Sequence, residues 1–295
     1  MTDLFLQQLA SGLLTGGLYA LISVGLTLVF GVLRLVNFAH GEYLTIAMYC
    51  CFFLRQGLGI DPYVAAVVVI LFFFVLGVIT ERLLIRPKIT APHVVQVFIT
   101  FALSLWFQNL FLMLFASDFL SVRTAAVPET LSFGAVNISL VRGIALIVAI
   151  ALAGALVLFL QYTYLGRAIR ATAQNRRSAR LVGVNVDRVY AITLRLGCAL
   201  VGVAGVLLSP LFPVNPYVGA DKILVAFVIV VLGGFGSVVS AVVAGLLLGT
   251  IESFSRFYLG SEMKQLIYFV FFIVVLAVRP TGLLGRKGSE VMEVT

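Results

Sequence analysis

The chain has 295 residues, 62% of them hydrophobic and only 11% charged, with a formal net charge of +8. A soluble domain carries about 45–50% apolar and about 25% charged residues, so these proportions exclude one and describe a helical integral membrane protein. The positive excess reads as topology rather than a nucleic-acid footprint, because no folded extramembrane domain fits between the apolar runs.

Met1-Thr2-Asp3 lacks a basic leader region, and the apolar run behind it continues past Gly25 without a cleavage site. The first run is therefore expected as a retained span. Crossing the hydrocarbon core takes about 20 helical residues. On that measure the candidate spans are about 9–33, 40–54, 63–85, 94–116, 142–162, 190–211, 222–235, 237–259 and 264–278. Three of them, 40–54, 222–235 and 264–278, are short for a perpendicular crossing. The expected fold is all-α and polytopic, about eight or nine transmembrane helices including short or broken ones, in one domain over 1–295.

Two regions share a design. A long span (9–33) leads to a polar piece, Asn37-Phe38-Ala39-His40-Gly41-Glu42, then a short helix ending near Leu54, then a full span (63–85). Further on, a long span (190–211) leads to Pro213–Asp221, then a short helix to Gly233, then a full span (237–259). These predict inverted repeats over about 9–116 and 190–278. Paired interrupted segments in two halves point to a transport pathway, with Asn37, His40, Glu42, Asn215, Gly233 and Gly234 as candidates. The plainer alternative is ordinary interhelical turns. In that reading Asn37 caps the helix that follows, and Glu42 falls in its first turns, where negative charge suits the dipole. The small residues Gly233, Gly234, Gly236, Ser237, Ala241, Ala244, Gly245 and Gly249 suit close helix packing.

Sidedness follows the basic residues. One set of connections holds Arg82, Arg86 and Lys88, then Arg167, Arg170, Arg176, Arg177, Arg180 and Arg188, then Arg279, Arg286 and Lys287. The alternate set holds only Arg55, Arg123, Arg142, Lys222, Arg256 and Lys264. This places the segment 163–188 and the C-terminus in the cytoplasm. The stretch 166–188 is expected to form one short basic surface helix, with Ala168, Ala171, Ala173, Ala179, Leu181 and Val182 between arginines and Gly183 as its stop. Such a helix suits docking into a groove on a partner.

No lysine here is preceded by the glycines of a nucleotide-binding P-loop, so ATP chemistry belongs to other chains and no cofactor is expected on this one. His40 and His93 have no accompanying ligand set, and Cys50, Cys51 and Cys198 lie inside apolar runs, so no metal site is expected. No catalytic constellation stands out, which argues against a membrane-embedded enzyme.

Several stretches in order carry a family resemblance: Val36–Glu42, Gly166–Ala171 with Ala179, Gly183 and Asp187-Arg188-Val189, Asn215–Gly219, Leu232–Ser237 and Arg279–Arg286. Together they resemble LivH-type permeases of high-affinity branched-chain amino acid importers of the ATP-binding-cassette class. The resemblance implies a bacterial inner-membrane subunit paired with a second, LivM-type permease, two cytoplasmic ATPases that bind ATP-Mg, and a periplasmic binding protein. It further implies that Gly166, Arg167, Arg170, Ala171, Ala179 and Gly183 belong to the element seated in an ATPase groove. An ion-coupled carrier, or the same permease type carrying urea, amides or other amino acids, remains an alternative. A carrier would need Glu42 or Glu252 for its cation.

Overall fold

The computed structural model describes residues 2–88, 91–124, 130–133 and 136–284. Its helices are α1 (Thr2–Leu33), α2 (Ala39–Leu58), α3 (Pro62–Thr80), α4 (His93–Phe115), α5 (Leu140–Tyr162), α6 (Tyr164–Gln174), α7 (Arg176–Leu181), α8 (Val186–Leu208), α9 (Val218–Gly233), α10 (Val238–Leu259) and α11 (Lys264–Val278). Each expected apolar run coincides with one of them. Six stretches are long and apolar enough to cross a membrane: Asp3–Leu33, Pro62–Lys88, Val94–Phe115, Leu140–Tyr162, Val186–Leu208 and Val238–Leu259. The chain is a multi-pass, all-α membrane protein. Arg286 and Lys287, like Pro128, Glu129 and Gly134 of the loop between α4 and α5, lie outside the described residues.

Five details of the expected layout are corrected. The short run 40–54 is the hydrophobic middle of a 20-residue helix, α2, whose polar ends hid its length. Arg55 lies in its last turn rather than in a loop, and donates to the Gly59 carbonyl at 2.9 Å. Unwinding at the first break covers 34–38, so His40, Gly41 and Glu42 are already helical. The stretch 166–188 is two short helices, α6 and α7, because Asn175 leaves helical geometry and its side chain caps α7 by accepting from the Ser178 amide at 2.9 Å. The loop after α4 contains an antiparallel hairpin, β1 (Thr130–Phe133) and β2 (Val136–Ser139).

Packing sorts the helices into an inner and an outer set. In α1 the most apolar window is 89% buried, against 28% in α3 and 11% in α4. The cause is small residues. Gly12 and Gly16 of α1 face Gly245 and Gly249 of α10, both pairs spaced i, i+4, so two backbones touch along one face. A Cβ added at Gly12 would lie 2.6 Å from the Thr250 Cα, and one at Gly16 would lie 2.6 Å from the Leu246 Cα. Gly17 opens a second face to Leu146 of α5, and Gly25 a third to Gly197 of α8. Several of the larger helix contacts come in matched pairs, α1 packing on α10 as α3 packs on α8 and α2 touching α8 as α9 touches α1, while the contact of α1 with α5 has no counterpart.

One buried acid is fully engaged within this frame. Glu252 of α10 accepts from the Tyr19 hydroxyl at 2.5 Å and pairs with Arg256 at 2.6 Å, which satisfies both carboxylate oxygens. A carboxylate at this depth persists only with such partners.

Candidate functional site

The site begins where two helices start inside the bundle. Gly41, in the first turn of α2, and Gly219, in the first turn of α9, meet backbone to backbone. A Cβ on either would run into the other's carbonyl, and both residues are buried. Two helix N-termini, each carrying the partial positive charge of its helix dipole, therefore converge at one point. The lead-ins are the same in kind: Val36-Asn-x-x-x-Gly41 and Val214-Asn-x-x-x-Gly219. This shared pattern is a signal that the comparison of span lengths missed.

The first lead-in is sealed by α4. Helix α1 stops because Arg34 adopts φ 54°, an uncommon left-handed conformation for a side chain of this size. The Thr100 hydroxyl of α4 accepts from the Phe38 amide at 3.4 Å and lies 3.0 Å from the Val36 carbonyl. Its one proton is shared between the Val36 carbonyl and the Val97 carbonyl of its own helix, also at 3.0 Å. A single side chain thus reaches both broken ends of the backbone, which is how unwound chain survives away from water. One turn along α4, Ser104 donates to Glu42 Oε1 at 3.1 Å. Asn37, His40 and Glu42 are all buried, the ring of His40 lying against α1 at Gly25. Contrary to the capping alternative read from the sequence, Asn37 does not cap α2 with its side chain. Phe38 holds the cap position without a side-chain bond, and the Asn37 carbonyl accepts from the His40 amide at 3.2 Å.

The second lead-in is more open. Asn215 is half-buried, and its side chain accepts from the Tyr217 amide at 2.9 Å, one residue before α9 begins. Val214 forms an isolated bridge with Leu120 of the loop behind α4, with amide-to-carbonyl distances of 2.7 and 2.9 Å. Lys222 stands over the Phe212 ring, 4.1 Å from its centre.

Beside the meeting point lies an apolar cavity of about 30 Å³. Leu26 and Phe30 of α1, Asn37 in the break, and Ile223, Phe227 and Val230 of α9 form its walls. Of the six expected pathway residues, Asn37 is the one that lines it. Gly233 and Gly234 instead build the α9–α10 turn: Gly234 has φ 96°, and a Cβ on Gly233 would lie 2.7 Å from the Ser240 carbonyl. The Arg279–Leu284 stretch folds back onto this turn. Its Leu283 and Leu284 amides donate to the Leu232 and Gly233 carbonyls at 2.7 and 3.3 Å, closing the end of α9.

The expected docking residues divide by exposure. Gly166 is buried at the corner between α5 and α6, where a Cβ would strike the Phe159 carbonyl, and the Thr163 hydroxyl caps α6 by accepting from the Gly166 amide at 2.9 Å. Ala179 is buried against the bundle, and Ala171 is half-buried. Arg167, Arg170 and Gly183 are exposed. Leu181 and Val182 project from the end of α7 at 82% and 78% exposure, just before Gly183 turns the chain with φ 86°. These two side chains, already among the apolar positions read from the sequence for this stretch, form an exposed apolar tip ringed by Arg176, Arg177 and Arg180.

A family model described as branched-chain amino acid transport system / permease component matches residues 8–276. The chain is 36% identical to the high-affinity branched-chain amino acid transport system permease protein LivH of Escherichia coli (strain K12), over 97% of each chain. It is 34% identical to the permease protein BraD of Pseudomonas aeruginosa, again over 97% of each. A probable LivH of Methanocaldococcus jannaschii is 28% identical over 97% of this chain and 96% of its own length. No solved structure matches.

Proposed function

The chain belongs to the permease components of branched-chain amino acid transport systems, and from that premise we propose that it forms half of an ATP-driven import channel in the bacterial inner membrane. In this reading it is a transport subunit rather than an enzyme. It pairs with a second permease and receives branched-chain amino acids from a periplasmic binding protein. Two cytoplasmic ATPases, which carry the nucleotide and its magnesium, drive it. In this reading the basic segment and the C-terminus face the cytoplasm, which the distribution of arginine and lysine favours.

The observation that carries the proposal is the convergence of the α2 and α9 starts beside an apolar cavity. A branched-chain amino acid is a small zwitterion with an aliphatic tail. Helix N-termini at Asn37 and Asn215 favour its carboxylate, and walls such as Leu26 and Ile223 favour its tail. The matched helix contacts support two inverted repeats, α1–α4 and α8–α11, that rock against each other and so open and close that point. The ATPases act on α6 and α7, where Arg167, Arg170, Leu181 and Val182 offer charge and apolar knobs to a groove.

The test is leucine uptake by proteoliposomes holding the full complex. Uptake follows internal ATP and persists when ionophores collapse ion gradients; uptake that vanishes with the gradients contradicts the proposal and makes the chain a carrier. Asn37→Ala and Asn215→Ala each lower uptake about tenfold at equal expression, the worth of one lost polar contact to a charged group. Arg167→Glu with Arg170→Glu releases the ATPases on purification while membrane insertion is kept. Full ATPase retention contradicts the docking role.

A further inference from the structure

A second cavity, of about 250 Å³, lies between the end of α3 and the beginning of α8, at the end of the bundle that carries α6 and α7. It is polar and lined by Arg82, Arg86, Arg188 and Arg195 with Glu81 and Asp187 among them. Its volume far exceeds the roughly 10–15 Å³ that one water requires. Both acids are already engaged: Glu81 pairs with Arg195 at 3.4 Å, and Asp187 with Arg180, outside the cavity, at 3.4 Å. Arg82, Arg86 and Arg188 have no acidic partner among the described residues. Buried Arg195 Nε, inside the same group, also lacks a hydrogen-bond partner.

The backbone shapes this cluster. Past Thr80, α3 continues through a π turn (Glu81–Ile85), in which the Arg86 amide bonds to the Glu81 carbonyl, and then a 3-10 turn (Arg86–Lys88). Inserted π turns re-aim side chains and recur at functional sites. Here the turn puts Arg82 and Arg86 on the wall facing Arg188. Immediately beside them, Ile79 and Leu83 are exposed at 48% and 70%, part of the apolar outer face of α3.

We propose that this cavity binds a phosphate group, and that the group is the headgroup of an anionic phospholipid. Guanidinium forks match phosphate oxygens in geometry as well as charge. Basic pockets between spans on the cytoplasmic side hold such headgroups, and the acyl chains then lie along Ile79 and Leu83. The contact ties α3 to α8, one of the two major contacts between the proposed repeats, so a bound lipid stiffens the joint on which their motion turns.

The experiment uses the full chain in detergent, titrated separately with phosphatidylglycerol, with phosphatidylcholine of the same acyl chains, and with inorganic phosphate. Thermal unfolding and native mass spectrometry report binding. Phosphatidylglycerol raises the unfolding midpoint and stays bound, while phosphatidylcholine does neither. Arg82→Gln with Arg188→Gln weakens binding about thirtyfold. Arg82→Lys with Arg188→Lys, which keeps the charge but not the fork, recovers part of it and controls for folding. Arg176→Gln with Arg177→Gln, which removes the same charge from α7, leaves it unchanged. Phosphatidylglycerol binding that the Gln pair does not weaken overturns the site. Equal stabilisation by inorganic phosphate, with no preference for lipid, overturns the lipid assignment and leaves a soluble phosphate ligand. If the Gln pair spares lipid binding but releases a cytoplasmic protein partner, the cavity is a protein contact and the proposal fails.

Discussion

The two lead-ins that share Val-Asn-x-x-x-Gly are built to different tightness around the same backbone event. At 36–41 the unwound chain is sealed: Thr100 serves the Val36 carbonyl and the Phe38 amide, Ser104 holds Glu42, and Asn37 is buried. At 214–219 the polar work is local, from Asn215 to the Tyr217 amide, and the outer support is a single bridge to Leu120. A helix start that leans on another helix is fixed, whereas one that leans on itself and a loop is free to adjust. Under the proposed function, α2 is the anchored side of the meeting point and the start of α9 the side that moves.

The contrast can be broken most severely at the contact itself. Gly41→Ala and Gly219→Ala each force a methyl group into the facing carbonyl, where backbone rather than a flexible side chain must yield. Overpacking of this kind costs about 1–3 kcal/mol. Uptake in the reconstituted complex falls at least tenfold for both, and detergent stability falls with it. Thr100→Val comes next. It removes the partner of the Phe38 amide and the Val36 carbonyl at a buried position, at about 1–3 kcal/mol, measured as thermal stability. Thr100→Ser keeps the hydroxyl and recovers most of that loss. Asn215→Ala has the smallest effect on stability, about 1 kcal/mol or less, because water reaches a half-buried amide. It lowers uptake nevertheless. A Thr100→Val chain no less stable than wild type would remove the distinction between a sealed and an open start.

Much of the architecture is legible in the sequence because apolar length and charge placement are local properties. Each expected run is helical, from 9–33 inside α1 to 264–278 as α11. Misread boundaries share a physical cause: polar side chains within a helix look like its ends. His40 and Glu42 seemed to interrupt α2 but are held inside it by burial against α1 and by Ser104. Asn175 was hidden for the opposite reason, since among arginines and alanines one capping residue does not disturb the pattern. The site was less legible. Thr100 lies 62 residues from Phe38, and nothing in its neighbourhood announces that it will close a break elsewhere. The Gly233-Gly234 pair reads in the sequence both as a pathway candidate and as part of a packing stripe, and nothing local announces that Gly282, with φ 83° and close against Gly234, caps their turn from distant chain.

The central claim is that the α2–α9 meeting point opens and closes during transport. It is tested most directly by fixing it. In a chain whose Cys50, Cys51 and Cys198 are replaced by alanine, Thr45→Cys and Ile223→Cys put thiols beside Gly41 and Gly219, where a short reversible thiol cross-linker joins α2 to α9. The account predicts that cross-linking stops ATP-driven uptake and that reduction restores it. Uptake at the full rate with the cross-link in place would contradict it.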